Sequence, residues 1–393
     1  MMRNKNPIRK YFLCFTELFN NKFSNLTSLE FKIRKQYEKD TYTCFRQDSK
    51  KVGAPQFEDM TRHHLNPVHI YAKLIDLGID KKQAREFAEF YEKLYYNKTH
   101  KKISKWKMET SLFTKTIPIH IVSFIYVGLM AIITFVFKQN IPLWQNYLVV
   151  YLGYATFVII ITHVVKGLSN PILEFIAIMY PWFSVPNFYE LLRHYIHAVF
   201  PYLFDPFIHQ FELAIFGIHP TVYLQRFATP LLTEIMSFGY FSYYLIFLFP
   251  PFIFYFFRRQ RASPLIFGMS LAYYFCFILF VLIPVAGPRF TLADKYSVPL
   301  IGYFLPEIQA RMMAKFALRG AAFPSSHVAM VMASSFIVKR YMPWLFKIIF
   351  PLSIMVALGA VYGRYHYVTD VVAGGIVGIV SALITYKVYQ ENI

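Results

Sequence analysis

The sequence is poor in cysteine and in charge, and each shortage limits what the protein can be. The 393 residues include three cysteines, Cys14, Cys44 and Cys276, with no CxxC spacing among them. Neither a disulfide framework nor a cysteine metal site is therefore predicted. Charged residues make up 16% of the chain, whereas about 25% is typical of soluble domains. This composition argues against a soluble globular protein.

Apolar residues are abundant instead. The chain is 56% hydrophobic and 19% aromatic, with a mean hydropathy of +0.37. Several runs exceed the roughly 20 apolar residues that are needed to cross about 30 Å of hydrocarbon. They predict an all-α, polytopic membrane helical bundle of seven or eight spans. The predicted spans are residues 117–137, 147–165, 171–187, 230–257, 264–286, 326–338, 343–362 and 368–388.

Positive charge is concentrated before the first span. Residues 1–116 hold 24 lysines and arginines against 13 aspartates and glutamates. A nucleic-acid partner is not predicted, because no zinc spacing or RNA-binding signature accompanies this charge. We predict a small basic cytoplasmic segment that contains short amphipathic helices within residues 66–98, with Asp80 as an N-cap. We predict that the remainder divides into accessory spans with an interfacial segment, residues 117–225, and a membrane core, residues 226–393.

Two short basic loops determine the predicted orientation. Residues 257–261 (FRRQR) and 338–341 (VKRY) should be cytoplasmic, because cytoplasmic loops are enriched in lysine and arginine. If residues 171–187 cross the membrane, the chain has eight spans and both termini are cytoplasmic. If they only dip into it, the chain has seven spans and the N-terminus lies outside. We predict eight.

Polar side chains interrupt the apolar runs in three segments, residues 283–290 (IPVAGPRF), 321–330 (AAFPSSHVAM) and 363–375 (GRYHYVTDVVAGG). His327 and His366 are 39 residues apart, which is about 58 Å of helix at about 1.5 Å per residue. That length covers one passage across the membrane and one back. Both histidines therefore return to one face, opposite the two basic loops, where Arg289 also arrives. We predict that this is the outer, lumenal or periplasmic face.

The three segments resemble the signatures of the type-2 phosphatidic acid phosphatase superfamily, over about residues 265–385. Pro324-Ser325-Ser326-His327 is similar to the Pro-Ser-Gly-His signature, and His366 with Asp370 matches the core of a Ser-Arg-x5-His-x3-Asp signature. Gly287-Pro288-Arg289 is a partial match to Lys-x6-Arg-Pro. The resemblance implies a membrane enzyme that acts on lipid-linked phosphate.

Two positions depart from those signatures. Leu282 stands where the first signature has lysine, and Ala360 stands where the third has arginine, with Arg364 closer to the histidine. These changes look like the inositol-phosphorylceramide synthase branch, whose His-His-Tyr-x-x-Asp is similar to residues 365–370 (YHYVTD). Residues 211–244 also resemble that branch. Hydrolysis of a lipid phosphate and transfer of a headgroup phosphate therefore both stay open.

The resemblance implies a role for each polar residue. His366 is the nucleophile that forms a phosphohistidine, and Asp370, one helical turn on, accepts a hydrogen bond from its far ring nitrogen. His327 protonates the leaving alkoxide and then activates water or an acceptor hydroxyl. No metal or other cofactor is implied. The substrate would be a phospholipid or polyprenyl phosphate in the bilayer, with a lipid alcohol as a possible acceptor. The candidate phosphate-binding residues are Arg289, Ser325, Arg364, Ser326 and, more weakly, Arg319.

Structural explanations compete with these roles. Ser325 and Ser326 also suit a helix cap, His366 and Asp370 suit a buried structural pair, and Arg364 suits a side chain that reaches the headgroups. A transporter with a polar path is an alternative of another class, and it predicts charges scattered at mid-depth in several spans. A catalytically dead lipid-binding scaffold is a second alternative. It predicts the loss of at least one of His327, His366 and Asp370, whereas all three are present.

Overall fold

The computed structural model describes residues 71–72, 75, 80–91, 97–167 and 170–389. The chain divides into two compact units, Met1–Lys107 and Met108–Ile393. In the first unit, helix α1 (Lys81–Tyr91) follows Asp80, whose carboxylate accepts a hydrogen bond from the Lys82 N–H at 3.0 Å. This contact is the one expected of the predicted N-cap. Residues 1–70 of the predicted basic segment lie outside the described residues.

The described residues are organised as helices, which confirms the predicted all-α fold. An apolar run in a bilayer must satisfy its own backbone hydrogen bonds, and the helix does this within one segment. The remaining helices are α2 (Asn97–Val136), α3 (Trp144–Gly167), α4 (Pro171–Leu191), α5 (Asp205–Phe216), α6 (Pro220–Tyr223), α7 (Pro230–Phe257), α8 (Arg259–Leu282), α9 (Pro288–Thr291), α10 (Leu305–Phe316), α11 (Ser326–Tyr341), α12 (Pro343–Tyr362) and α13 (Val368–Val388).

Among the described residues, six helical stretches are long and apolar enough to cross a membrane. They are Thr116–Val136, Trp144–Val164, Pro230–Phe257, Arg259–Leu282, Pro343–Tyr362 and Val368–Val388. The two other predicted spans form α4 and α11. Helix α11 has 16 residues, about 24 Å at about 1.5 Å per residue. Helix α4 contains Glu174, Glu190 and two internal prolines. The count of six falls below the predicted seven or eight for these reasons.

The predicted span at residues 264–286 is displaced toward the N-terminus. Helix α8 begins at Arg259, leaving Arg258 as the turn from α7, and it ends at Leu282. The residue before Pro284 is disfavoured in helical conformation, and Val285 pairs with another segment. The Val285 N–H donates to the Gly320 carbonyl at 3.1 Å, and the Ala322 N–H donates to the Val285 carbonyl at 2.9 Å. Residues 283–287 therefore form a loop.

Helix α8 lies at the centre of the bundle and packs against α4, α7, α11 and α13. Helix α11 packs closely along α13, because glycines of α13 face its backbone. A Cβ atom on Gly374 would lie 2.4 Å from the Ser325 carbonyl oxygen, and one on Gly378 would lie 2.4 Å from that of Ala329. Such small-xxx-small spacing lets helix backbones approach in membranes. This contact sets the beginning of α11 beside that of α13.

Candidate active site

The three polar segments meet where α8 ends and where α11 and α13 begin. Besides the pairing of Val285, the Ser325 N–H donates to the Asp370 carbonyl at 2.9 Å. Gly287 has a φ of +96°, and a Cβ atom there would lie 2.9 Å from the Tyr365 carbonyl oxygen. Glycine is thus required at this crossing of two loops. The structure brings together the segments that the sequence predicted would share one face.

His366 is buried, with a ring whose proton is held by the backbone. Its Nδ1 lies 3.0 Å from the carbonyl oxygen of Ala322. A carbonyl oxygen can only accept, so Nδ1 carries the hydrogen and the neutral ring keeps its lone pair on Nε2. The His366 N–H donates to the Ala360 carbonyl at 3.1 Å. Both contacts orient a nitrogen that can act as a nucleophile.

Asp370 lies beside this ring but makes its shorter contact elsewhere. Its Oδ2 is 3.5 Å from Nδ1 of His366 and accepts a hydrogen bond from the Tyr367 N–H at 2.9 Å. Its Oδ1 is buried with no hydrogen-bond partner among the described residues. The sequence predicted that Asp370 would be the acceptor for the far ring nitrogen. In the structure the Ala322 carbonyl takes that place, because Asp370 caps the first turn of α13.

His327 lies in the first turn of α11, against two aromatic rings. Its ring centroid is 4.1 Å from that of Tyr243 and 5.4 Å from that of Tyr240. The His327 and His366 centroids are 6.2 Å apart. Hydrogen-bond reach is about 3 Å from each ring, so one phosphoryl group can contact both imidazoles. The Nδ1 of His327 is buried without a hydrogen-bond partner in the described chain.

A pocket of about 410 Å³ adjoins this pair of histidines. Arg289 and Arg364 both line it, and no carboxylate does. Nη1 of Arg289 is buried and has no hydrogen-bond partner among the residues described. The Arg364 guanidinium lies 4.0 Å from the centroid of the Tyr296 ring. Neither histidine lines the pocket, but Tyr365 does, and it precedes His366 directly. The pocket therefore carries positive charge close to the segment that contains His366.

The other predicted phosphate-binding residues, Ser325, Ser326 and Arg319, do not line the pocket. Ser325 is the N-cap of α11, because its Oγ accepts a hydrogen bond from the Val328 N–H at 3.5 Å. The Ser325 N–H donates to the backbone carbonyl of Asp370 at 2.9 Å. Ser326 is buried in the first turn of that helix. Arg319 is exposed, lies 5.7 Å from the Phe290 ring centroid and does not line the pocket.

Sequence reasoning missed Asp205, which binds two of the three segments. Its carboxylate accepts hydrogen bonds from the Ala286 N–H at 2.8 Å and the Gly287 N–H at 3.0 Å. It also accepts one from the Tyr367 hydroxyl at 3.0 Å. A recognisable signal was present, since Asp205, His209 and Glu212 share one helical face. Nε2 of His209 lies 2.6 Å from the Tyr367 hydroxyl oxygen.

Comparison with known families gives one finding. Residues 261–393 match the family model of the PAP2 superfamily. The matched stretch is about a third of the chain and includes both histidines, Asp370 and Arg289. No curated protein and no solved structure matched the chain. The PAP2 match supports the superfamily that the sequence motifs indicated. Together with six membrane-like helices, it fits a lipid phosphatase-like membrane enzyme.

Among the residues that the structure describes, no three histidine, cysteine, aspartate or glutamate side chains are grouped so that they could hold a metal ion. Near the pocket, the described residues bring together two imidazoles, one carboxylate and two guanidinium groups.

Proposed function

We propose that this protein is an integral membrane enzyme that cleaves or transfers a lipid-linked phosphate through a phosphohistidine at His366. The observation that carries the proposal is the His366 ring. Its Nδ1 hydrogen is engaged by the Ala322 carbonyl, which leaves Nε2 as the nucleophilic atom, and His327 lies 6.2 Å away. The substrate is a phospholipid or polyprenyl phosphate that diffuses in the bilayer.

The proposed reaction proceeds in two displacements. Nε2 of His366 attacks phosphorus, the P–O bond to the leaving group breaks, and protonated His327 donates its proton to the leaving alkoxide. Neutral His327 then takes a proton from water or an alcohol as that oxygen attacks phosphorus and the P–N bond breaks. Negative charge on the phosphoryl oxygens is held by fixed donors, for which Arg289 and Arg364 are the candidates. Asp370 places its negative charge beside the His366 ring as this ring becomes cationic.

A headgroup phosphotransferase similar to inositol-phosphorylceramide synthase is the second candidate function. The pocket is lined by Thr233, Ser237 and Gln309 as well as by the two arginines, so it offers polar groups beyond those that a phosphate needs. Such a lining suits a polar headgroup or an acceptor alcohol, whereas hydrolysis requires only a water molecule. The resemblance of residues 365–370 to that branch points the same way.

The site is proposed to face the periplasm, lumen or cell exterior, with both termini cytoplasmic. The basic residues near 257–261 and 338–341 support this orientation, because they lie at the opposite ends of α8, α11 and α12 from the histidines. A cytoplasmic N-terminus also requires that α4 crosses the membrane. A membrane transporter is the rival of another class. It predicts that anionic lipids are moved across vesicles without any change in their chemistry.

The test is an assay of purified protein with phosphatidate, a polyprenyl diphosphate and a phosphoinositide, each with and without ceramide or diacylglycerol. Free phosphate and new lipid species are both followed. We expect turnover of at least one donor and its complete loss in His366→Ala. His163→Ala is the matched control, because His163 is exposed and its Nδ1 lies 2.8 Å from the Ile159 carbonyl oxygen within α3. Full activity of His366→Ala would remove this residue as nucleophile.

A further inference from the structure

A buried polar network joins helix α5 to both loops of the proposed site. Helix α5 presents an apolar face outward, where Phe207 and Phe211 are 63% and 53% exposed. Its inner face is polar, with Asp205 and Glu212 only 2% and 1% exposed. Glu212 accepts hydrogen bonds from the N–H and hydroxyl of Thr369 at 3.0 and 3.3 Å. The inner face is therefore built to hold other segments of the chain.

Tyr367 stands at the centre of this network and is fully buried. Its hydroxyl donates to Asp205 at 3.0 Å, because a carboxylate oxygen can only accept. Its oxygen lies 2.6 Å from Nε2 of His209 and 2.5 Å from Oγ1 of Thr291. Since the single hydroxyl hydrogen is engaged by Asp205, His209 donates from Nε2. Three segments of chain, helix α5, helix α9 and the loop before α13, thus meet at one phenol.

The Asp205 carboxylate holds two different functional loops, because Oδ2 accepts from the Ala286 N–H and Oδ1 accepts from both the Gly287 N–H and the Tyr367 hydroxyl. The Ala286 and Gly287 N–H groups belong to the loop that carries Arg289, whereas Tyr367 directly follows His366. A displacement of either loop moves the arginine relative to the imidazole. Reaction rates depend on such distances steeply, since an error of about 1 Å can cost about a hundredfold.

We propose that Asp205 and Tyr367 are positioning residues, which lock the Arg289 loop and the His366 loop at a fixed separation. This inference rests on the proposed function, because Asp205 and Tyr367 would act by positioning Arg289 and His366. Neither residue touches the substrate. Asp205 acts through two backbone N–H groups, and Tyr367 acts through the backbone that it shares with His366.

The test uses full-length protein and whichever donor the wild type turns over fastest. In Tyr367→Phe, the link to Asp205 is cut while the Ala286 and Gly287 contacts persist. We expect kcat per folded molecule to fall about tenfold, with KM little changed. Asp205→Ala removes the contacts to Ala286 and Gly287 as well as the link to Tyr367, so we expect lower kcat and raised KM. The double variant should be no worse than Asp205→Ala, since both changes remove the Tyr367–Asp205 hydrogen bond.

Tyr180→Phe is the matched control. Tyr180 is also buried, and its hydroxyl lies 3.1 Å from Nδ1 of a histidine, His120, in the accessory helices. It should lower thermal stability without lowering kcat per folded molecule. If Tyr367→Phe keeps full kcat, or loses activity only in proportion to folded protein, the positioning role is overturned. An inactive wild type or an active His366→Ala would instead contradict the proposed function.

Discussion

At the scale of single residues, the proposed site contains buried polar atoms that lack hydrogen-bond partners. Nη1 of Arg289, Nδ1 of His327 and Oδ1 of Asp370 are all buried without a hydrogen bond in the described residues. An unsatisfied buried polar group costs about 1–3 kcal/mol, and more when charged. All three lie in or beside the proposed site, where a donor such as Nη1 of Arg289 is suited to a phosphoryl oxygen.

Arg289 and Arg319 offer a matched pair for a test of phosphate binding. Both guanidinium groups lie near the Phe290 ring, at 5.2 and 5.7 Å from its centroid, but only Arg289 lines the pocket. We expect Arg289→Gln to lower kcat/KM by about tenfold to a hundredfold, the loss of about 1.5–3 kcal/mol from charged hydrogen bonds. Arg319→Gln should leave kcat/KM near wild type in the same assay. Equal losses in both variants would contradict the assignment of Arg289 to the pocket.

His209 gives a prediction about pH. Burial lowers the pKa of His209 below the ordinary value. Asp205 raises this pKa, and the neighbouring His219 and Lys295 lower it further. The folded state therefore favours the neutral ring, and the unfolded chain takes up a proton first as the pH falls through about 6.5. The unfolded state binds more protons in that window, so stability falls as the pH is lowered.

Thermal denaturation in detergent at pH 8 and pH 5 measures this effect. We expect His209→Gln to lose less stability than wild type between these two values, because glutamine can still donate to Tyr367 without titrating. Some pH dependence should persist, since burial also lowers the pKa of His219. The same acid-induced loss in variant and wild type would show that His209 is not the titrating group.

At the scale of helices, the contact between α11 and α13 sets the site. Gly374 and Gly378 let the α13 backbone approach Ser325 and Ala329, and Ser325 is the N-cap of the helix that carries His327. The helix contact and the position of the imidazole are therefore coupled. A change in packing between α11 and α13 should therefore alter the activity without replacing a side chain that is proposed to be catalytic.

Gly374→Val tests this coupling, with Gly375→Ala as its control. A side chain at 374 would meet the Ser325 carbonyl, whereas nothing lies within 4 Å of a Cβ atom at 375. We expect Gly374→Val to destabilise the protein by about 1–3 kcal/mol, the usual cost of overpacking, and to lower kcat. Gly375→Ala should be neutral or slightly stabilising, because alanine favours helix. Thermal unfolding in detergent and the lipid assay provide both readouts. A tolerated valine at 374 would contradict the close approach.

At the scale of the whole molecule, the predicted orientation places the pocket and the basic turns on opposite sides of the membrane. Tyr303 is 73% exposed and lies in the segment before α10, on the side of the pocket. Gln260 is exposed in the first turn of α8. With Cys14, Cys44 and Cys276 replaced by serine, we expect a membrane-impermeant thiol reagent to label Tyr303→Cys in intact cells or sealed vesicles of native orientation. Gln260→Cys should react only after permeabilisation. The reverse pattern would overturn the orientation.

Much of the architecture was predictable, for a simple reason. Apolar runs of span length have one stable backbone solution in a bilayer, so α7, α12 and α13 begin and end where the sequence predicted. The prediction failed at residues 283–286, where Val285 pairs with Gly320 instead of continuing α8. Such a pairing depends on a partner that is distant in sequence, so the hydrophobicity of residues 283–286 does not predict it.

The candidate site divides in the same way. His327, His366, Asp370 and Arg289 were named from short motifs, because the chemistry of phosphoryl transfer constrains residue type and spacing. Asp205 belongs to no such motif. Its contacts with Ala286, Gly287 and Tyr367 span 81 to 162 positions of sequence, and only a folded chain brings them together.

The sequence by itself thus determined that the chain is a helical membrane protein and which imidazoles return to one face. It could do so because helix rise and bilayer thickness are both fixed lengths. The tertiary structure decided which atom holds the His366 proton, which of the predicted arginines line the pocket and what joins the two loops. These matters depend on contacts of about 3 Å between distant segments, and only the packed helices set such distances.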